Sequence, residues 1–296
     1  MTTATPLWVH RRRYRRRRWT ARLAALAVGS AFLLAVVPLI LVLTYTIARG
    51  LPHFSWVFFT HSLAGVPPSQ AGGGIAAATI GSLEQVGLAS LIGLPLGLAV
   101  AVYLAEYGTG RLATVTRFLV DVMTGIPSIV AGLFAYTFIV ISLHQGFSGL
   151  AAAIALSLLM VPIIVRSAED ILAGIPRTLR EAGYALGLRR WRVVVSIVLP
   201  AARSGLITGA MLAVARIAGE TAPLLLTAFD NSYINANPFR GQQSALPLFI
   251  YNQAQQAYQP AIDRAWAAAA TLVLAITGIY IIARLLTLRT SGAHRV

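Results

Sequence analysis

The sequence predicts an all-α integral membrane protein with six transmembrane helices and both termini on the cytoplasmic side. Three observations carry this. Of 296 residues, 57% are hydrophobic and only 11% charged, against about 25% charged in soluble domains; the mean hydropathy is +0.73. Six stretches supply the roughly 20 apolar residues that a spanning helix needs, near 23–47, 75–103, 116–142, 149–168, 204–228 and 266–287. All 24 basic side chains are arginines, and an N-in arrangement puts twenty of them in inner segments and three (Arg49, Arg240, Arg264) in outer ones, as the positive-inside rule requires. Arg216 alone falls within a span.

The first span is preceded by eight arginines in residues 11–22. Such a flank also opens signal peptides, but their apolar region is about 7–15 residues long; this run is longer and lacks an A-x-A site, so a retained helix is expected. The expected division is a cytoplasmic tail over 1–22, a transmembrane domain over 23–287 and a second tail over 288–296. The net charge of +15 does not read as a nucleic-acid footprint, because the arginines crowd the flanks of apolar runs. The first outer loop, 48–74, ends in Gly72-Gly73-Gly74, a flexible lead into span two. The loop near 229–263 is rich in Asn, Gln and Tyr; a short interfacial helix that docks a partner and a solvated connector fit it equally well.

Missing residue types exclude whole chemistries. Without lysine there is no P-loop, and without cysteine there is no disulfide, thiolate zinc site or cysteine nucleophile. The five histidines are scattered and form no H-E-x-x-H pair, so neither a metal site nor a catalytic residue is expected on this chain.

Span four runs into a long inner loop, about 169–203. Pro176 suits a first helical turn and Gly187 a helix stop, with a second amphipathic helix predicted from Trp191 to Leu199, ended by Pro200. Glu181-Ala182-x-x-x-x-Gly187, followed nine residues later by Ile197-x-Leu199-Pro200, resembles the EAA motif of ABC importer permeases, E-A-A-x-x-x-G-x(9)-I-x-L-P. Gly183 stands where the second Ala is commonest. The resemblance implies a type I ABC importer permease fold, with this loop as the coupling helix seated in a cleft of a separate ATPase subunit. Arg180, Glu181, Ala182, Gly183 and Gly187 are the implied contacts. ATP and Mg would then be bound by the partner, in agreement with the missing P-loop, and this chain would bind no cofactor.

Span five holds Arg216 near its middle, where an arginine costs about 2.5–3.5 kcal/mol on insertion scales. Glu220 lies four residues on, on the same face of a continuous helix. Two readings stay open: the pair simply neutralises itself, or it lines a pathway in which the guanidinium fork binds phosphate or carboxylate oxygens. Gly219 permits close helix approach, and Pro223 would kink the helix one turn from the pair. Glu84 in span two is a helix-packing or pathway candidate, and Asp121 a local charge partner for Arg117. Thr79, Thr124 and Ser128 bond to substrate or, more commonly, back to their own helix.

The stretch Ala215-Arg216-Ile217-Ala218-Gly219-Glu220-Thr221-Ala222-Pro223-Leu224-Leu225 resembles the fifth span of PstA-type permeases of phosphate ABC importers. Gly72-Gly73-Gly74-Ile75 and Gly125-Ile126-Pro127-Ser128-Ile129-Val130-Ala131-Gly132 are similar to the same family. This implies an inner-membrane phosphate permease working with a PstC-type second permease, two ATPase subunits and an extracytoplasmic phosphate-binding protein in the lipid bilayer. Arg216 and Glu220 are the implied pathway residues. The rival readings are a permease for molybdate or sulfate, and a carrier or channel acting alone. Glu181→Arg or Gly187→Pro is expected to leave membrane insertion intact and to uncouple the ATPase; normal uptake by a correctly inserted Glu181→Arg protein would refute the coupling assignment.

Overall fold

The computed structural model describes residues 7–291; Arg295 and the first six residues lie outside them. Among the described residues the structure is helical. In chain order the helices are α1 (Leu7–Gly50), α2 (Trp56–Thr60), α3 (Ala76–Tyr107), α4 (Arg111–Thr124), α5 (Ser128–Ser142), α6 (Gly149–Ala173), α7 (Arg177–Ala185), α8 (Arg190–Ala218), α9 (Ala222–Thr227), α10 (Leu246–Ala254) and α11 (Gln259–Ser291). Five are long and apolar enough to cross a membrane, and α4 with α5 makes a sixth if that bent pair counts as one span. The chain divides into two compact units after Ala48.

The first unit is α1. It runs from Leu7 through the arginine-rich segment and the apolar run as one helix of 44 residues with Pro38 inside it, about 66 Å at 1.5 Å per residue. The basic segment is thus helical and continuous with the first span.

In the second unit, α3 packs along α6 through small residues. A side-chain carbon on Gly97 would sit 2.8 Å from Ile164, and one on Gly93 3.1 Å from the sulfur of Met160. Ala89, Ala152, Ala153 and Leu156 are buried beside them. Lipid supplies no hydrophobic force between helices, so close backbone approach and dispersion hold the contact. A second apolar cluster joins Phe58 of α2, Ile75, Ala78, Leu246 and Phe249 of α10, and Ala267 and Ala268 of α11.

Three predicted elements need correction. The third span is not continuous: α4 and α5 meet at 103°, because Pro127 excludes its predecessor from helical backbone and the helix stops at Gly125. The fifth span begins at Arg190 and ends at Ala218 rather than covering 204–228, which puts Arg216 in its last turn rather than near its middle. Its early start reflects the third correction: Pro200 does not end a helix. Residues Val194–Val198 form a π-helical turn just ahead of Pro200, which sits in the first turn of the regular helix that follows. The wider turn accommodates the ring and the missing N–H.

Gly72 and Gly73 hold φ of +107° and +68°, and Gly74 lies against the carbonyl of Phe58. This glycine run is therefore required by a tight turn rather than being merely flexible. The outer loop does hold a short helix, α10, but its first turn is buried against the second apolar cluster.

The α3–α6 contact gives a direct test. Gly97→Leu is expected to cost about 1–3 kcal/mol by overpacking. The control is Gly87→Leu, where an added first side-chain carbon meets no atom within 4 Å beyond its own helix backbone. Thermal unfolding in detergent should separate the two.

Candidate functional site

The inner loop folds as a helical hairpin. Pro176 caps α7, one position before its expected place, and α7 ends in a Schellman motif. Leu188 N–H donates to Gly183 O at 3.2 Å and Gly187 N–H to Tyr184 O at 2.9 Å, with Gly187 at φ +78°. Only glycine takes this left-handed position without strain, and proline, fixed near φ −65°, cannot take it. Gly183 is buried; a side-chain carbon there would meet Ile197 at 2.7 Å and Val193 at 3.0 Å. The glycine in place of the second Ala thus lets α7 lie directly on α8.

The structure sorts the five predicted contact residues. Glu181, Ala182 and Gly187 are exposed. Gly183 faces α8. Arg180 points inward: its Nε and Nη2 donate to the Glu106 carboxylate at the end of α3, the shortest contact being 2.6 Å. Its remaining donors reach Ile175 O at 2.7 Å and Leu172 O at 2.9 Å. Arg190 donates to the backbone oxygen of Glu106 and lies 4.8 Å over the Tyr107 ring. Leu186, 80% exposed at the hairpin tip, and the half-exposed Tyr184 add apolar surface beside Glu181. The motif did not flag Leu186; an apolar residue just before the glycine stop was the available signal.

Neighbouring ion pairs tie α4 to α6. Arg117 Nε donates to Glu169 Oε1 at 2.7 Å and its Nη2 to Leu104 O at 2.8 Å. Asp121 pairs with Arg166, not with Arg117 as expected; α6 brings Glu169 to Arg117 from 52 positions away. Thr124 bonds back to its own helix, at Val120 O.

Arg216 and Glu220 do not share a continuous helix. α8 ends at Ala218 with Gly219 as its cap, and Pro223 opens the separate α9 instead of kinking a longer helix. The pair survives at 4.0 Å, with the Arg216 side chain 66% exposed and that of Glu220 21%. A cation in the last turn of α8 is favoured by the helix dipole. α9 then packs on α5: a side-chain carbon on Gly132 would lie 2.6 Å from Pro223 Cα. Two segments singled out separately in the sequence therefore meet in space, through the helices that follow two breaks. Interrupted backbone at membrane depth persists only where protein buries it or it lines a watery cavity.

Glu84 has a different setting. It accepts from Nε2 of Gln243, which also donates to Asn235 O at 2.9 Å, while Gln243 Oε1 accepts from Gln85 Nε2 at 3.0 Å. Gly81 and Gly149 leave room for the backbone of Ser244 and the amide of Gln243. Among the described residues no hydrogen bond or ion pair joins Glu84 to Arg216 or Glu220; its partner is the loop amide of Gln243. Buried Arg264 secures the same outer region, donating to Gln253 Oε1, Gln70 O, Gly72 O and Pro68 O. Sequence reasoning missed Gln243 because an amide in a polar loop carries no signal of burial. A cavity of about 280 Å³ among α3, α6 and α8 is lined by Leu94, Leu98, Ile164, Leu206 and Ala210 and presents no cation to an anion.

Residues 93–292 match the family of binding-protein-dependent transport system inner membrane components. The chain is 42% identical over 284 residues to the phosphate transport system permease protein PstA 1 of Mycobacterium tuberculosis, covering 95% of this chain and 92% of that protein. It is 41% identical to the phosphate transport system permease protein PstA of Yersinia pestis, covering 96% and 95%. Among solved structures, a chain of a bacterial ABC transporter involved in the import of the acidic polysaccharide alginate aligns with TM-score 0.60 at 17% identity, over 93% of this chain and 96% of that one. A chain of the MetNI methionine ABC transporter, in an inward-facing conformation, aligns with TM-score 0.59 at 21% identity, over 71% and 93%. These last two bear on the fold alone.

The outer network predicts a stability effect. Gln243→Leu removes one partner from the buried Gln85, which keeps Ser244 O, and one from the half-buried Glu84, and is expected to cost about 1–3 kcal/mol in all. The loss should be visible as a lower unfolding temperature than that of Glu84→Gln, which can still accept a hydrogen bond.

Proposed function

The chain belongs to the family of binding-protein-dependent transport system inner membrane components, and from that premise we propose that it is the membrane-spanning permease subunit of an ATP-driven phosphate importer. It is a multi-pass inner-membrane protein whose family works with ATPase and substrate-binding partners. The relatives reported above are named for phosphate transport, which does not favour molybdate or sulfate. The coupling hairpin speaks against a carrier or channel acting alone.

The observation that carries the reading is the span of α8. It starts in the hairpin at Arg190 and ends just past Arg216, so its 29 residues cover about 43 Å. Movement of the hairpin is thus delivered along a single helix to the guanidinium. With both termini inside, the hairpin faces the cytoplasm. Glu181, Ala182 and Leu186 meet the ATPase there, while Gly183 and Gly187 shape the turn that presents them. ATP and Mg belong to the two ATPase subunits; a PstC-type permease completes the pathway, and an extracytoplasmic phosphate-binding protein delivers the substrate. Inside the membrane Arg216 offers its planar fork to phosphate oxygens. Glu220 pairs with the guanidinium when phosphate is absent, and the weak contact at 4.0 Å lets phosphate displace it. Glu84 acts at one remove, by anchoring the outer loop.

Arg216→Ala in the assembled transporter is expected to lower phosphate uptake about 10–100-fold, the worth of a charge-assisted hydrogen bond. Insertion and ATPase binding should be unaffected. Uptake at the wild-type rate would remove Arg216 from the pathway, and uptake of molybdate or sulfate in preference to phosphate would reassign the substrate.

A further inference from the structure

The coupling hairpin is joined covalently to α6 and α8, but not to α3. We infer that Glu106 is a positioning residue, the carboxylate through which α7 grips α3 so that hairpin movement reaches the second span; this rests on the proposed ATP-driven transport.

Glu106 is 5% exposed in the π-helical end of α3, Tyr103–Tyr107. The last carbonyls of a helix lack partners within it and attract cations. Here Leu104 O is taken by Arg117 and Glu106 O by Arg190. The Glu106 carboxylate is taken by Arg180. One residue of α3 therefore receives both arms of the hairpin, α7 through its side chain and α8 through its backbone. The same guanidinium of Arg180 also closes on Ile175 O and Leu172 O, beyond and within the last turn of α6.

Side-chain exposure is 16% for Arg180 and 4% for Glu106. Separating them would leave two opposite charges away from water without a counter-charge, Arg180 keeping only the carbonyls of Ile175 and Leu172, which is far more costly than moving the pair together. The pair therefore behaves as a pin. A partner that displaces the exposed face of α7 draws α3 with it, and α3 in turn bears on α6 along its length. All three guanidinium nitrogens of Arg180 and both carboxylate oxygens of Glu106 are engaged within the fold, so the role is transmission and not docking.

The test is the number of phosphate ions carried per ATP hydrolysed by the complete transporter in proteoliposomes, with its ATPase and binding protein. This ratio does not depend on how much complex survives. Glu106→Gln keeps the size of the side chain and removes its charge; it is expected to keep ATP hydrolysis and lower the ratio about tenfold, the order of a lost charge-assisted hydrogen bond. Arg180→Lys keeps the charge but not the fork and should give an intermediate ratio. An unchanged ratio in both variants would overturn the inference, and so would failure of both to assemble, which would assign the pair to folding alone. A wild-type transporter that hydrolyses ATP but carries another oxyanion would refute the phosphate reading instead, and the ratio would then be taken with that anion.

Discussion

The second unit depends on the close approach of α3 and α6. In lipid, apolar helices gain nothing by hiding from their solvent, so contact must come from surfaces that fit. Gly93 and Gly97 on α3 admit Met160 and Ile164 of α6, and Ala152 and Ala153 keep the opposing surface low. The ends of these two helices then lie together. The carboxylates at those ends, Glu106, which fastens the hairpin, and Glu169, which fastens α4, are placed by that contact.

Regular helix fills the unit until a functional element requires otherwise. The π-turn at Val194–Val198 carries α8 through Pro200 without a break, and so makes one rod of the hairpin arm and the fifth span. The π-turn at Tyr103–Tyr107 ends α3 where the cluster of arginines gathers. The helices that follow the breaks at Gly125–Pro127 and Gly219–Thr221 pack on each other through Gly132 and Pro223. Irregular backbone is costly in a membrane, and the break after α8 comes directly after the last turn, which holds Arg216, the residue of the proposed pathway.

Charge is also divided by depth. Pairs such as Arg117–Glu169 and Arg180–Glu106 are tight, partly or wholly shielded, and bind helix ends together. The contact between Arg216 and Glu220 is long and open. A structural pair gains from permanence, whereas a group that must bind and release an anion gains from a partner that is easily displaced. Arg264 shows a third arrangement, a buried cation held by one amide and three backbone carbonyls.

Sequence alone determined the class of molecule, the spans to within the corrections above, and the hairpin with its stop at Gly187. Each of these depends on local quantities: apolar length, arginine count, the left-handed backbone of one glycine. Where Pro127 and Pro200 would lead was not legible, because a proline bends or passes according to the turn that neighbouring helices allow. Nor was the inward aim of Arg180, the pairing of Arg117 with Glu169, or the burial of Gln243. Those contacts join residues 74, 52 and 159 positions apart, and only the packing of α4, α7 and the loop before α10 on α3 and α6 brings them within reach.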